Sequence, residues 1–516
     1  MPAPCAELDV APPAADAGVV VWHRCGLRVA DHLAVETATS ESDVVCPLFV
    51  FDPHFYTEGL ACDARLRFLH ECLSDLADAY ERRGASLVFV HGDPASVVGR
   101  FVDAGWDVVA AATPTGRYGL RRDERLADSG VAFVAEDGIE REGASRENWS
   151  DHAEAYLTGS TRAPDPSGFG DHGVTSAVTV DAVEAEYDVS PSKSRVPTGG
   201  RTAALERLAA FARDIAAYPG SISPPAAAES GTSRLSPYLR FGCLSVREAF
   251  QHVRDHADDG RARELFTSRL YWNRHYTQKL EDWPGWMDHA VNPVFRGFNR
   301  SRHDSELVAA WKRGRTGYPM VDASMRCLVE TGWLNFRMRA MCASFFSYIL
   351  HQPWRLGADF FYYHLVDADP AINYTQWQQQ AGVTGVNTMR IYNPRKQVRD
   401  NDPEGEFVHE WVPELRPVPA DYLDRPERIP LHLQAEFGVD VGTDYPLPVV
   451  DYEARREAAA DRFSALQARA HEALEDPEIR CRASLSQRGG RTRSGGGDDS
   501  DGDGPAADQA SLSDFG

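Results

Sequence analysis

The sequence predicts an α/β domain built on a parallel, doubly wound sheet, followed by an all-α domain. Three observations carry this. Short apolar runs alternate with helical periodicity through the first 130 residues, the pattern of strand–helix–strand units. From Arg201 to about residue 475 the apolar positions keep a helical period. Between the two, residues 131–200 are mixed, polar and turn-rich, and read as an inter-domain connector.

In chain order, residues 1–16 are rich in Ala and Pro and are expected to be disordered. Apolar runs at 19–22, 44–51, 87–90 and 106–112 predict four strands. The second is closed by Asp52-Pro53 and the third by Gly92-Asp93-Pro94. Residues 65–83 set Leu66, Leu69, Leu73, Leu76 and Tyr80 on one face of a helix. These elements form a domain over 17–130, and in such sheets ligands lie beyond the carboxyl ends of the strands. The helical domain spans 201–475. From Ser484 the chain turns polar, with the run GGGDDSDGDG, so 484–516 is expected to be a disordered acidic tail.

Composition narrows the function classes. The 516 residues suffice for two or three domains, and 43% apolar content is ordinary for a globular core. No apolar run reaches the roughly 18 residues of a membrane helix, and no basic-then-apolar leader opens the chain, so a cytoplasmic location away from the membrane is expected. Nine dispersed cysteines without a C-x-x-C pair argue for reduced thiols and against a metal or iron–sulfur site. The net charge is −23, with only four lysines among 54 basic residues, a balance that suits a high-salt cytoplasm. The charge is uneven. Residues 201–400 hold 26 basic and 19 acidic side chains, a surplus of +7, and the rest of the chain carries −30. A basic region in an acidic protein is what a DNA-facing surface, or an anionic cofactor, requires.

Two stretches of the helical region carry chemistry. Gly231-Thr232-Ser233-Arg234-Leu235-Ser236-Pro237 opens a helix, with Ser236 as a candidate N-cap and Pro237 at the first helical position. Hydroxyls and free N–H groups at a helix start form an anion site. A few residues on, Ser245-Val246-Arg247-Glu248 reads as a structural capping box. In the second stretch, residues 331–415, Arg337 and Arg339 sit in an apolar helical run. A charge there is costly unless paired, and the natural partner for one Arg is one Asp of the Asp367-Ala368-Asp369 turn. Asn373 and Trp377 follow.

GW-x-x-x-R-x-R, D-x-D, Asn four before Trp, R-I-Y-N-P, D-P-E-G-E-F and W-V-P-E-L stand in one order over 85 residues. Together they resemble the FAD-binding half of the photolyase/cryptochrome family. WHRCGLRVADH near the start resembles the opening of that family's antenna domain. The resemblance implies that FAD is held by Tyr218, by Thr232, Ser233, Arg234, Leu235 and Ser236, and by Arg339, Asp367, Ala368, Asp369 and Asn373. Within that set Arg339 would pair with Asp367, Asp369 would face the flavin ring and Asn373 its N5. Trp377 and Trp354 match the inner and middle tryptophans of the family's electron chain. The outermost position is not Trp, and Trp311 and Trp333 match other segments. A second, antenna chromophore of deazaflavin or folate type is also implied.

The substrate side departs from the family pattern. Trp272 is present, but Arg269 stands where dimer-repair enzymes have Glu. Phe336 and Ala340 replace a usual Asn and Met, and stand where the (6-4) branch has two histidines; Gln379 replaces the second Trp of W-x-W. Arg269, Trp272, Asn335, Phe336, Arg337 and Gln379 are the implied DNA and substrate contacts. The implied function is blue-light repair of pyrimidine dimers in DNA by electron transfer from reduced FAD. The alternative is a cryptochrome photoreceptor with a signalling partner.

Overall fold

The computed structural model describes residues 8–14, 17–126, 128–141, 149–386 and 389–484. Five parallel strands, β1 (Gly18–His23), β2 (Val45–Phe51), β3 (Val88–His91), β4 (Trp106–Ala111) and β5 (Val131–Val134), form one sheet in the order β3-β2-β1-β4-β5. β1 is central, with Val19 opposite both Val45 and Asp107. Every residue of β1 and β2 is buried, as expected of parallel strands covered on both faces. Successive side chains of β1 point to opposite faces. Val19 and Val21 join the Leu33–Glu41 and Asp63–Glu81 helices, whereas Val20 and Trp22 join the Pro94–Asp103 helix.

Two sequence readings need correction. β5 begins at Val131, inside the stretch read as connector. It is a four-residue edge strand with half-exposed side chains, too short to show a period. The rest of that stretch carries the Trp149–Thr158 and Val180–Glu186 helices. Residues 8–14 were expected to be disordered, yet Leu8 is buried and Asp9 exchanges backbone bonds of 3.0 and 3.2 Å with Thr175. Trp106 explains this: it packs with Leu8 and donates its Nε1 proton to Ala11 O at 2.9 Å. Residues 1–7 and 15–16 lie outside the described residues, as does the predicted acidic tail except for Ser484.

Residues 201–483 are helical. The Ser245–Glu248 capping box is present, with both reciprocal bonds. The helices that frame the site are Ser236–Phe241, Gly260–Asp282, Phe336–Ser344, Trp354–His364 and Pro370–Gln380. Arginines tie this region to the sheet region. Arg65 Nη1 donates to Tyr362 O at 2.6 Å, Arg117 Nε meets Asp288 at 2.8 Å, and buried Arg247 pairs with Asp31. Among the described residues no helix is long and apolar enough to cross a membrane.

Candidate cofactor and substrate site

Asp367 is the junction of the site. It is 7% exposed, and Arg339 Nη2 reaches its two oxygens at 2.9 and 3.2 Å. Arg339 Nε also donates to Leu334 O at 2.6 Å, which fixes the guanidinium on the turn before its own helix. Ser236 Oγ donates to Asp367 Oδ2 at 2.6 Å. The expected N-cap role of Ser236 is therefore replaced. The cap position falls to Leu235, and the hydroxyl makes a charge-assisted bond, which is stronger than a bond to a backbone amide. Arg240, four residues on and so on the same face, donates its Nε proton to Ala368 O at 2.9 Å. The sequence reading missed Arg240; its spacing from Ser236 was the available signal. The loop and the Asp367-Ala368-Asp369 turn are thus braced at two points.

The loop itself is held from below. Thr232 Oγ1 donates to Ala228 O at 2.7 Å, Ser233 Oγ accepts from Leu235 N at 3.4 Å, and Arg207 Nε donates to Ser233 O at 2.9 Å. Arg234 takes a left-handed backbone, φ 51°, and lays its guanidinium 4.0 Å over the Trp333 ring. Burial lowers the pKa of Arg234, and the charge of Glu229 opposes that shift. Asn335 spends its Nδ2 protons on Ile222 O and Ser223 O, both at 3.0 Å, while its Oδ1 is buried without a partner. A cation stacked on an indole and an orphaned carbonyl oxygen, set around a helix start, fit a dinucleotide such as FAD, which brings a diphosphate and ring N–H donors.

The Pro370–Gln380 helix orders the other wall. Asp369 caps it, accepting from Ile372 N at 3.0 Å, and Pro370 follows at the first turn. Asn373 donates its Nδ2 proton to Ala358 O at 3.0 Å. Trp377, one turn on, lies against Gly357, where any Cβ would run into the indole. Its ring neighbours are Trp311 at 6.1 Å, Phe346 at 6.0 Å and Phe361 at 5.2 Å. Trp354 opens its helix three residues before Gly357, on the same face. Trp311, set aside in the sequence, is thus a direct neighbour of Trp377, and nothing in its spacing announced this.

On the substrate side, Trp272 stacks on Tyr276 at 5.6 Å and meets His275 edge-on at 5.3 Å. Tyr276 lies near Gln376, and Tyr218 near Arg269. Burial raises the Tyr218 pKa, with Arg269 pulling the other way. Arg337 Nε and Nη2 both reach Ser223 Oγ at 3.3 Å. Phe336 is 39% exposed. Gln379 is half-buried, about 200° around the helix from Trp377. Among the described residues its side chain bonds to none of these groups, whereas neighbouring Gln378 is fixed to Trp286 O and His289 O at 2.8 and 2.6 Å. Among the described residues no cluster of His, Cys, Asp and Glu suits a metal ion, and the described cysteines are free thiols.

Comparison with known proteins agrees with this geometry. A family model for the FAD binding domain of DNA photolyase matches residues 266–465, and one for DNA photolyase matches residues 19–138. A deoxyribodipyrimidine photo-lyase of Streptomyces griseus is 33% identical over 458 residues, covering 84% of this chain and 96% of that protein. The solved structure of a bacterial class III photolyase from Agrobacterium tumefaciens aligns with a TM-score of 0.75 at 28% identity, over 90% of this chain and 99% of that one. An archaeal photolyase from Sulfolobus tokodaii, solved with two FAD molecules, aligns at 0.72 and 27%, over 87% and 100%. The chain belongs to the photolyase/cryptochrome family.

Proposed function

We propose that this member of the photolyase/cryptochrome family is a blue-light DNA photolyase that binds FAD and splits pyrimidine dimers. The observation that carries the reading is Asp367, which joins Arg339, the 231–237 loop and the Asp367-Ala368-Asp369 turn into one braced cradle. Reduced FAD, excited by light, would supply one electron to the dimer and take it back after the ring opens. The chain's own residues do the rest. Thr232, Ser233, Arg234, Leu235 and Ser236 hold the diphosphate at the helix start. Tyr218 packs on the nucleotide, and Ala368 and Asp369 line the ring. Asn373, held by Ala358 O, would offer its amide to the flavin ring and so tune the hydrogen bonding there. Trp377 and Trp354 carry electrons inward to restore the reduced state.

The DNA partner docks on the basic region of residues 201–400, and a dimer turned out of the stack enters between Trp272 and Phe336. Arg269, Asn335, Arg337 and Gln379 complete that wall. A second chromophore, of deazaflavin or folate type, would serve as antenna. The first domain is taken to run from 17 through β5 to 134, with the connector at 135–200 and the helical domain at 201–475. One observation favours a photoreceptor as the second reading: Arg269, near Tyr218, stands where the repair enzymes carry an acid. The test is to purify the protein, reduce it, and illuminate it with dimer-containing oligonucleotide. Light-dependent loss of dimers supports repair. Binding without splitting moves the assignment to the photoreceptor.

A further inference from the structure

The Tyr452–Ala473 helix crosses the turn that precedes Trp354. Arg455 and Arg462, seven residues apart, lie on one face of it. Buried His351 stands at the crossing with φ 57°, its Nε2 donating to Arg455 O at 3.2 Å and its Nδ1 accepting from Arg455 Nη1 at 3.1 Å. Both ring nitrogens are thereby used, and the ring is neutral. Arg462 lies 4.6 Å over the Phe298 ring and donates to Asn299 Oδ1. Arg302, exposed and anchored through its carbonyl to Gln352 Nε2 at 3.3 Å, is the third arginine of this region.

Among the described residues none of the three forms an ion pair, and the one charge that acts on Arg462 is Arg302. Some other half-buried or buried arginines are paired: Arg339 has Asp367, Arg326 has Glu414 at 2.7 Å, and Arg247 has Asp31; buried Arg65 instead spends its N–H groups on backbone carbonyls. A guanidinium stays charged at any working pH, so the repulsion within the cluster is permanent. It arises in a protein whose net charge is −23, where carboxylates are abundant. Planar N–H forks suit tetrahedral oxyanions, and the start of the Trp354–His364 helix, three residues from His351, adds its positive dipole end.

We propose that Arg302, Arg455 and Arg462 form a binding site for a phosphate-class oxyanion beside the start of the Trp354–His364 helix. The phosphate is either free, as inorganic phosphate or a nucleotide, or belongs to a nucleic-acid backbone. The proposal does not depend on the light-driven reading. The experiment titrates wild type and an Arg455→Gln/Arg462→Gln double variant with inorganic phosphate, with ATP and with an undamaged oligonucleotide. Heat release and thermal shift are read at constant ionic strength set by chloride. Wild type should bind at least one of the three, and the double variant should bind it at least about tenfold more weakly, the factor that one charge-assisted hydrogen bond supplies. Loss confined to phosphate and ATP marks the free source; loss confined to the oligonucleotide marks the backbone. Arg302→Gln, at an exposed side chain, repeats the test without disturbing packing and should weaken binding in the same direction. Equal titrations of wild type and both variants, or a wild-type response that chloride alone reproduces, would overturn the proposal.

Discussion

The cofactor wall and the substrate wall of the site are built differently. Around Asp367, Arg339, Ser236 and Leu334 are linked by bonds of 2.6 to 3.2 Å. Arg240 adds a second brace at Ala368 O. On the substrate side, Phe336 is 39% exposed and Arg337 holds a neutral hydroxyl at 3.3 Å. The first wall is finished by the protein itself. The second keeps its apolar and cationic groups available, as a surface does when a partner is to complete it. Stability should therefore depend on the first wall and nucleic-acid binding on the second.

The largest expected effect tests the first half of that contrast. Asp367→Ala leaves the half-buried Arg339 without its carboxylate partner, at a cost of about 1–3 kcal/mol. Denaturant unfolding should report the loss, and the purified variant should carry little flavin by absorbance. A variant with normal stability and normal flavin would show that Asp367 is not the junction.

The next change separates electron supply from structure. Trp377→Phe keeps most of the apolar volume against Gly357 and Phe361 but removes the more easily oxidised ring. Light-driven reduction of bound FAD with an external reductant should slow by about tenfold or more, equivalent to roughly 1.4 kcal/mol of barrier. Protein reduced chemically beforehand should keep its repair rate. Wild-type photoreduction in the variant would remove Trp377 from the chain, and Trp311, 6.1 Å away, would be the next position to replace.

Salt probes the second wall. If the +7 region meets phosphates, affinity for a dimer-containing duplex should fall steadily with the logarithm of salt concentration. A flat dependence, measured where the fold is intact, would assign the basic surplus to the cofactor alone.

The smallest effect on the fold is expected at Phe336. Phe336→Ala should change unfolding free energy by no more than about 0.5 kcal/mol, because the ring is substantially exposed. The same variant should weaken binding of dimer-containing DNA. A large stability loss would mean that Phe336 belongs to the core and that the contrast between the walls is misdrawn.

The sequence alone determined the parallel sheet, the helical second half and the need of Arg337 or Arg339 for a carboxylate of the Asp367-Ala368-Asp369 turn; the family resemblance singled out Arg339 with Asp367. Alternation, periodicity and the cost of an unpaired charge are local or nearly local rules, and residues such as Leu66, Leu69 and Leu73 or the Asp367-Ala368-Asp369 turn express them directly. The tertiary structure decided the rest. Nothing local distinguishes a Ser236 that caps a helix from one that reaches Asp367, 131 residues away. Nor does composition reveal that Leu8 finds Trp106, that Trp311 lies against Trp377, or that Arg455 reaches His351 and Arg462 reaches Asn299. These outcomes depend on which long-range neighbour offers the better hydrogen bond, packing surface or countercharge, and that choice exists only once the chain has closed on itself.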